Sequence, residues 1–167
     1  GLTSRARIIV SSKNRVDVGS IRNYEDLASV QWKGKVCSRS GKHPYMNALI
    51  ASMIVARDEI KTETWLSDVK ANLARKPQGN DRGQVKAIYE GLCDVAVINH
   101  YYMAMMLADP EQKKWAEAVN VIFPNQDGRG THMNVSGAAI SKHAPNRSNA
   151  AKLLEFLASK KGQEIYG

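Results

Sequence analysis

The sequence predicts an α/β layered fold with a largely parallel sheet flanked by helices. Two observations predict it. Short apolar runs alternate with amphipathic stretches along the whole chain, an order typical of α/β folds. Turns rich in glycine, proline and serine separate many of these segments. The length of 167 residues suits one ordinary domain or a large piece of a two-lobed protein.

The first half of the chain supplies two strands and several helices. "RARIIV" at 5–10 is a strand, and a short helix opens near Asn23 and ends at the turn of Lys33 and Gly34. "KVCSR" at 35–39 is a second strand, which runs into the turn "SGKHPY". A helix follows over 44–59, with Pro44 in its first turn, where proline is tolerated. A second amphipathic helix covers 62–75.

The second half continues the alternation after a loop at 76–83. A helix over 84–91 is closed by Gly91, and "CDVAVI" at 93–98 is a buried strand. Residues 101–108 are helical and rich in methionine, and Asp109 is expected to cap the next helix. Three further elements complete the prediction: strands over 118–123 and 132–141, and a terminal helix over 148–167.

The composition narrows the function classes. Apolar residues make up 43 % of the chain, enough for a sizeable core, and no run approaches the ~20 apolar residues of a membrane span. The net charge of +8 permits nucleic acid, a membrane surface or small anions as partners. The basic residues are spread without a dense run or a nucleic-acid motif, so a solvated basic surface is favoured. A steep salt dependence of DNA binding would instead identify a nucleic-acid-associated module.

Patterns typical of enzymes are absent from the sequence. It holds no paired carboxylates, no set of nucleophile, histidine and aspartate, and no glycine loop for phosphates, so we expect no enzyme. The two cysteines, Cys37 and Cys93, are 56 residues apart, too far for a closely spaced cysteine metal site. One disulfide fits this count, and so do two unrelated buried thiols.

Three tyrosines follow two of the predicted strands. Tyr101 and Tyr102 come after the strand at 93–98, and Tyr45 comes after the strand at 35–39. Parallel sheets bind ligands outside the carboxyl ends of their strands. If these two strands are neighbours, three phenols converge on one cleft.

Phenols suit one kind of metal in particular. A free phenol has a pKa near ~10, but a highly charged hard cation such as Fe(III) stabilises the phenolate. Softer divalent metals prefer cysteine and histidine. The turn at 40–42 adds backbone N–H groups and a serine hydroxyl near a helix N-terminus, where carbonate or phosphate could complete an iron shell. By composition alone, adjacent tyrosines are more often packing residues.

Two segments carry a resemblance to a known family. "KVCSRSGKHPYMNALIASMI" and "GLCDVAVINHYYMAMM" resemble the periplasmic ferric-iron-binding proteins of bacterial iron ABC transporters, which are transferrin-like solute-binding proteins. The similarity continues through "GLTSRARII", "YEDLA", "THMNVSGAAISKHAPN" and "AAKLLEFLASKKGQ", so it covers essentially the whole chain. The R-S-G-x-x-x-Y and N-x-Y-Y elements are its most specific parts.

The resemblance implies a set of site residues. Tyr45, Tyr101 and Tyr102 correspond to tyrosines that coordinate ferric iron. Four further residues are expected at the anion pocket, with Arg7 offsetting the charge of the anion: Ser40, Gly41, Asn99 and Arg7.

The resemblance also implies location and partners. We expect a periplasmic protein that hands ferric iron to an inner-membrane ABC permease and does not bind nucleic acid. A binding protein for another anionic or chelated solute is the alternative. Because the periplasm is oxidising, we expect Cys37 and Cys93 to form a disulfide.

The length implies a part of the family's two-lobed architecture, since family members are roughly twice as long. We expect the chain to be the second-lobe portion. Residues 1–130 would form the ligand-bearing lobe, and residues 131–167 the strand and helix that return to the other lobe. The missing first lobe or a second copy of the chain would be the partner that closes over the iron.

Overall fold

A computed structural model describes residues 1–166 as two compact units. The larger unit is Arg5–Asn134, and the smaller one combines Gly1–Ser4 with the chain from Val135 onward. The sequence placed its division at 130/131, four residues before the boundary of the larger unit. The assignment of either part to a lobe stays a prediction.

The sheet has the order β2-β3-β1-β4. The strands are β1 (Thr3–Ser12), β2 (Val36–Cys37), β3 (Val95–Asn99) and β4 (Val119–Ile122). A fifth strand, β5 (Met133–Ser136), pairs with β1. Strand β2 runs parallel to β3, whereas β1 runs antiparallel to both β3 and β4.

The α/β class is therefore confirmed, with a mixed sheet in place of a largely parallel one. Only the direction of β1 differs from the expectation, since β2, β3 and β4 all run the same way. A strand buried on both faces reads as a continuous apolar run in either direction. The "IIV" of β1 is such a run, and its residues are inaccessible to solvent.

Five helices belong to the larger unit: α1 (Pro44–Arg57), α2 (Glu59–Ala71), α3 (Asp81–Tyr89), α4 (Tyr101–Leu107) and α5 (Lys113–Glu117). Pro44 begins α1 as predicted. Asp58, at a φ of 88°, separates α1 from α2 and caps α2 by accepting the N–H of Lys61. Gly91 follows α3 at a φ of 79°, as a closing glycine should. No helix within residues 1–166 is long and apolar enough to cross a bilayer.

Several segments differ from the sequence prediction. The helix that Asp109 was expected to cap begins only at Lys113, with Gln112 before it. The strand expected at 35–39 covers only Val36–Cys37. The expected helix after Asn23 is instead two 3₁₀ turns, Tyr24–Ala28 and Val30–Trp32, separated by the extended residue Ser29. Another 3₁₀ turn, Val18–Ser20, lies before Asn23. The terminal helix is broken into α6 (Arg147–Ala158) and α7 (Lys160–Tyr166). At the break Ser159 is extended, and its hydroxyl accepts the N–H of Gly162 at 3.2 Å. Serine competes with the helix in this way. The expected strand at 132–141 is shorter, since β5 covers only Met133–Ser136.

The core lies on both faces of the sheet. Ile8 and Val10 of β1 pack in one cluster with residues of α3, α4 and α5, and Ile9 packs in the other with residues of α1 and α2. Alternate residues of a strand point to opposite faces, so the larger unit is a sheet between two helical layers. The carboxyl ends of β2 and β3 emerge side by side from this sandwich.

Candidate functional site

Two parallel strands position the first pair of tyrosines. Strand β2 leads into α1, whose second residue is Tyr45, and β3 leads through His100 into α4, whose first residue is Tyr101. Because β2 and β3 are adjacent, the two helix starts face each other. The hydroxyl oxygens of Tyr45 and Tyr101 lie 3.5 Å apart.

The third tyrosine, Tyr102, contacts this pair by stacking its ring on that of Tyr101. The rings of Tyr101 and Tyr102 are stacked, with centroids 4.4 Å apart and planes at 30°. All three tyrosines are half-buried. The structure thus brings the three predicted residues into one cluster, while their role as iron ligands stays a prediction.

The two neighbouring histidines each accept a backbone N–H, one within the Tyr45 turn and one from β1. His43 accepts the N–H of Tyr45 on Nδ1 at 3.2 Å, and its ring centroid lies 4.5 Å from that of Tyr45. His100 accepts the N–H of Ala6 on Nδ1 at 3.0 Å. Burial lowers the pKa of His43, and the positive charge of Arg39 lowers it further. A neutral imidazole with a free lone pair on Nδ1 is the form these contacts need.

Guanidinium groups surround the tyrosines. Around the Tyr45 ring the guanidinium carbons lie 5.7 Å (Arg5), 5.9 Å (Arg7) and 5.1 Å (Arg39) from the centroid, and Arg82 lies 5.7 Å from the Tyr102 centroid. These distances are within the range of cation–π attraction. Positive charge at this distance also favours a phenolate over a phenol.

The Tyr45 phenol nevertheless holds its proton in the metal-free site. The hydrogen bond with Tyr101 and then burial raise the pKa of Tyr45 above its ordinary value. The arginines act in the opposite direction but do not outweigh these two effects. A ligand that needs the phenolate must therefore displace a proton.

A buried aspartate connects the two turns. The Oδ2 atom of Asp81, on α3, accepts hydrogen bonds from Arg7 Nη1 at 2.6 Å and from the backbone N–H of Asn99 at 2.7 Å. Its Oδ1 atom accepts from Arg39 Nη1 at 2.9 Å. The Asp81 side chain has no solvent exposure, and Arg7 and Arg39 are buried as well. Burial of two guanidinium groups requires such a partner.

The residues expected at the anion pocket fall into two environments. Ser40 and Gly41 are exposed in the turn before α1, where the Ser40 hydroxyl accepts the N–H of Lys42 at 3.3 Å. Arg7 and Asn99 are buried, and Arg7 Nη1 donates to the Asn99 side-chain oxygen at 3.1 Å. Ser40 and Gly41 are thus open to a ligand, whereas Arg7 and Asn99 belong to the aspartate network.

Sequence reasoning missed the aspartate and most of the arginines. Asp81 stands in a glycine-rich loop, "GNDRG", which holds no second acidic residue to mark it as part of a site. Arg39 is part of the R-S-G element, which was the available signal for it. Within residues 1–166 there is no group of three or more His, Cys, Asp and Glu side chains that could hold a metal.

The predicted disulfide is confirmed. Cys37, at the end of β2, is bonded to Cys93, which precedes β3, with their Cα atoms 5.9 Å apart. Both residues are buried. The covalent bond therefore joins the two strands that lead to the tyrosines.

The chain is similar to known proteins along nearly its whole length. A family model described as "Bacterial extracellular solute-binding protein" matches residues 6–166. The chain is 47 % identical over 165 residues to "Iron uptake protein A1" of Synechocystis, covering 98 % of this chain and 46 % of that protein.

Solved structures of similar proteins also cover nearly all of this chain with about half of their own length. The Mannheimia haemolytica Ferric iron-Binding Protein A in an open conformation is 52 % identical with a TM-score of 0.92, covering 99 % of this chain and 52 % of that one. A Trichodesmium protein (IdiA, FutA) in complex with iron and citrate ligands is 42 % identical with a TM-score of 0.95, covering 99 % and 53 %. The chain spans about half the length of these relatives. The resemblance seen in the sequence is therefore confirmed, and the chain belongs to the family of bacterial extracellular solute-binding proteins.

Proposed function

We propose that this chain holds ferric iron through the phenolates of Tyr45, Tyr101 and Tyr102 in the periplasm, for delivery to an inner-membrane ABC permease. The observation that carries the proposal is the 3.5 Å separation of the Tyr45 and Tyr101 hydroxyl oxygens, which come from different helices. These tyrosines are half-buried at two neighbouring helix starts and lie beside cations. Their oxygens form a donor set for a hard cation.

Charge balance supports iron in its ferric state. Three phenolates offset the three positive charges of Fe(III), whereas they would leave a divalent ion with an excess negative charge. The nearby guanidinium groups stabilise each phenolate once its proton has left. The metal itself supplies most of the driving force for that proton loss, as it does for bound water and thiols.

The relatives support the same solute. Curated relatives of this chain are named for iron uptake or for ferric iron binding, and one similar structure is described with iron and citrate. The solute-binding class supports delivery to a permease. Periplasmic location agrees with the Cys37–Cys93 disulfide, since such bonds persist in oxidising compartments.

An anionic or chelated solute is the second candidate, and the arginines favour it. Four guanidinium groups lie around the tyrosines, and one carboxylate, that of Asp81, pairs with two of them. The surplus of positive charge repels a bare cation and attracts an oxyanion. The same surplus charge is compatible with the iron proposal if an anion binds as well. Carbonate or phosphate bound near Ser40 and Gly41 would relieve the repulsion, and iron would enter together with that anion.

The proposal is tested by the colour of the iron complex. Wild-type protein titrated with ferric citrate should develop a visible phenolate-to-iron absorption band. Tyr101→Phe and Tyr102→Phe should each bleach or strongly shift it, because each variant removes the oxygen and keeps the ring. Tyr89→Phe, on the exposed side of α3, is the matched control and should leave the band unchanged.

The second candidate predicts a different result in the same titration. If the site serves a chelated solute without phenolate ligation, citrate or phosphate should bind equally well to wild type and to the variant carrying both Tyr101→Phe and Tyr102→Phe. Iron bound by that double variant with the wild-type spectrum would overturn the tyrosine assignment.

A further inference from the structure

We propose that Asp81 is the positioning residue of the tyrosine site. Its single carboxylate holds the turn that carries Tyr45 and the turn that carries Tyr101 in register. This inference rests on the proposed function, because it concerns how the proposed ligands are kept at iron-binding distance.

One carboxylate oxygen serves the Tyr45 side. Oδ1 of Asp81 accepts from Arg39 Nη1 at 2.9 Å. Arg39 lies between β2 and α1, and its guanidinium carbon is 5.1 Å from the centroid of the Tyr45 ring, nearer than those of Arg5 and Arg7. The Tyr45 ring therefore rests against a group whose orientation Asp81 sets.

The other oxygen serves the Tyr101 side. Oδ2 of Asp81 accepts the backbone N–H of Asn99 at 2.7 Å. Asn99 is the last residue of β3, immediately before His100 and the α4 start at Tyr101. The same Oδ2 accepts from Arg7 Nη1, which also donates to the Asn99 side chain. Asp81 thus contacts both tyrosine-bearing turns directly or through one side chain.

The carboxylate of Asp81 is not needed to cap its own helix. The side chain of the preceding Asn80 caps α3 by accepting the N–H of Gly83 at 3.0 Å. Burying a carboxylate completely is unfavourable unless every lone pair finds a donor. The three donors here all come from elements outside α3, so the aspartate acts between elements rather than within its own.

Metal ligation makes such positioning measurable. Ligand atoms must lie within about 0.5 Å of their productive positions, and removal of a residue that orients ligands typically weakens metal binding by roughly 10- to 100-fold. Loss of the Asp81–Arg39 contact should therefore loosen iron through Tyr45 specifically, rather than through general destabilisation.

The decisive variant is Arg39→Met. It removes the Arg39–Asp81 contact and leaves Asp81 paired with Arg7 alone. Iron affinity from chelator competition and the phenolate band are measured in two backgrounds, wild type and Tyr45→Phe. We expect affinity to fall by roughly 10- to 100-fold and the band to shift in the first background. In the second we expect little further change, because the positioned ligand is already gone.

Arg5→Met is the matched control for charge. Arg5 lies 5.7 Å from the same ring and has no carboxylate partner within the described residues. The Arg5→Met substitution removes one positive charge and leaves the contacts of Asp81 intact. Its effect on iron affinity and on the band should therefore be clearly smaller than that of Arg39→Met. Asp94→Asn is the control for a lost ion pair elsewhere, since Asp94 pairs with Arg15 at 2.6 Å, and it should leave the band unchanged.

Asp81→Asn tests the carboxylate itself. In the wild-type background it should lower the affinity and shift the band, as Arg39→Met does. In the Tyr45→Phe background it should still lower the affinity, because it also weakens the contact with the Asn99 N–H on the Tyr101 side. If circular dichroism shows that Asp81→Asn does not fold, Arg39→Met alone decides. Equal effects of Arg39→Met in both backgrounds, or a wild-type band and affinity in that variant, would overturn the positioning role. Wild-type protein without an iron band would overturn the proposed function instead, so the two failures are distinct.

Discussion

Tyr45 and Tyr101 bring their hydroxyl oxygens to within 3.5 Å across a sequence separation of 56 residues. Cys37 and Cys93 have the same separation and form the disulfide. Cys37 lies in β2 and Cys93 just before β3, so each precedes one tyrosine of the contact by the same number of residues. A covalent link upstream and the proposed ligand site downstream share one pair of parallel strands.

Reduction of the disulfide should destabilise the protein strongly. Closing a loop of 56 residues removes entropy from the unfolded chain worth about 4 kcal/mol in the chain-entropy model. Urea unfolding with and without reductant should differ by this order of magnitude. A variant with Cys37→Ala and Cys93→Ala should not respond to reductant. Two alkylated thiols in fresh, unreduced protein would contradict the bond.

Iron affinity should fall as the pH falls. The hydrogen bond with Tyr101 and then burial raise the pKa of Tyr45, so its proton is held firmly and iron must displace it. Each displaced proton makes the affinity change about tenfold per pH unit. Chelator competition over a pH series should give a shallower slope for Tyr45→Phe, by about one proton. An unchanged slope would mean that Tyr45 keeps its proton in the iron complex.

Mild acid should also weaken the fold through His132. Burial lowers the pKa of His132, and the charge of Arg7 lowers it further, so the folded state holds a proton less readily than the unfolded chain, whose value is about 6.5. The contribution to stability is complete above that value and is lost as the pH falls from it through the lower pKa of the folded state. Urea midpoints at about pH 7.5 and about pH 5.5 should differ less for His132→Gln than for wild type. Equal acid losses would exclude His132 as the cause.

Two equally buried tryptophans should respond differently to replacement by phenylalanine. Trp65 and Trp32 are both 4 % exposed. Trp65 Nε1 donates to the carbonyl of Tyr24 at 2.9 Å, whereas Trp32 Nε1 has no acceptor within the described residues. Trp65→Phe removes the donor from a buried carbonyl and should therefore be less stable than Trp32→Phe by about 1–3 kcal/mol. Unfolding of both variants in urea measures the difference. Equal losses would show that the hydrogen bond contributes nothing.

Local sequence signals determined where several elements begin and end. Pro44 marks the start of α1 because its ring suits the first helical turn and lacks an N–H that would need a partner. Gly91 marks the end of α3 because it adopts a positive φ without strain. The class of fold could also be predicted, because it depends on the alternation of short apolar and amphipathic segments. The three tyrosines could be found because each follows a predicted strand within a few residues.

Features that depend on distant residues were decided by the tertiary structure. The direction of β1 depends on which strands lie beside it, and its apolar run reads the same in either direction. The 3₁₀ turns after Asn23 and the break at Ser159 depend on hydrogen bonds that compete with a regular helix.

The site shows the same division between sequence and structure. The sequence identified Tyr45, Tyr101 and Tyr102 as candidates because they follow two predicted strands and lie in the two segments that carry the family resemblance. It did not identify Asp81, whose three donors come from β1, β3 and the segment after β2. A carboxylate becomes a buried partner only when packing has removed water and brought cations to it. Only the folded chain decides that for Asp81, because its partners are far away in the sequence.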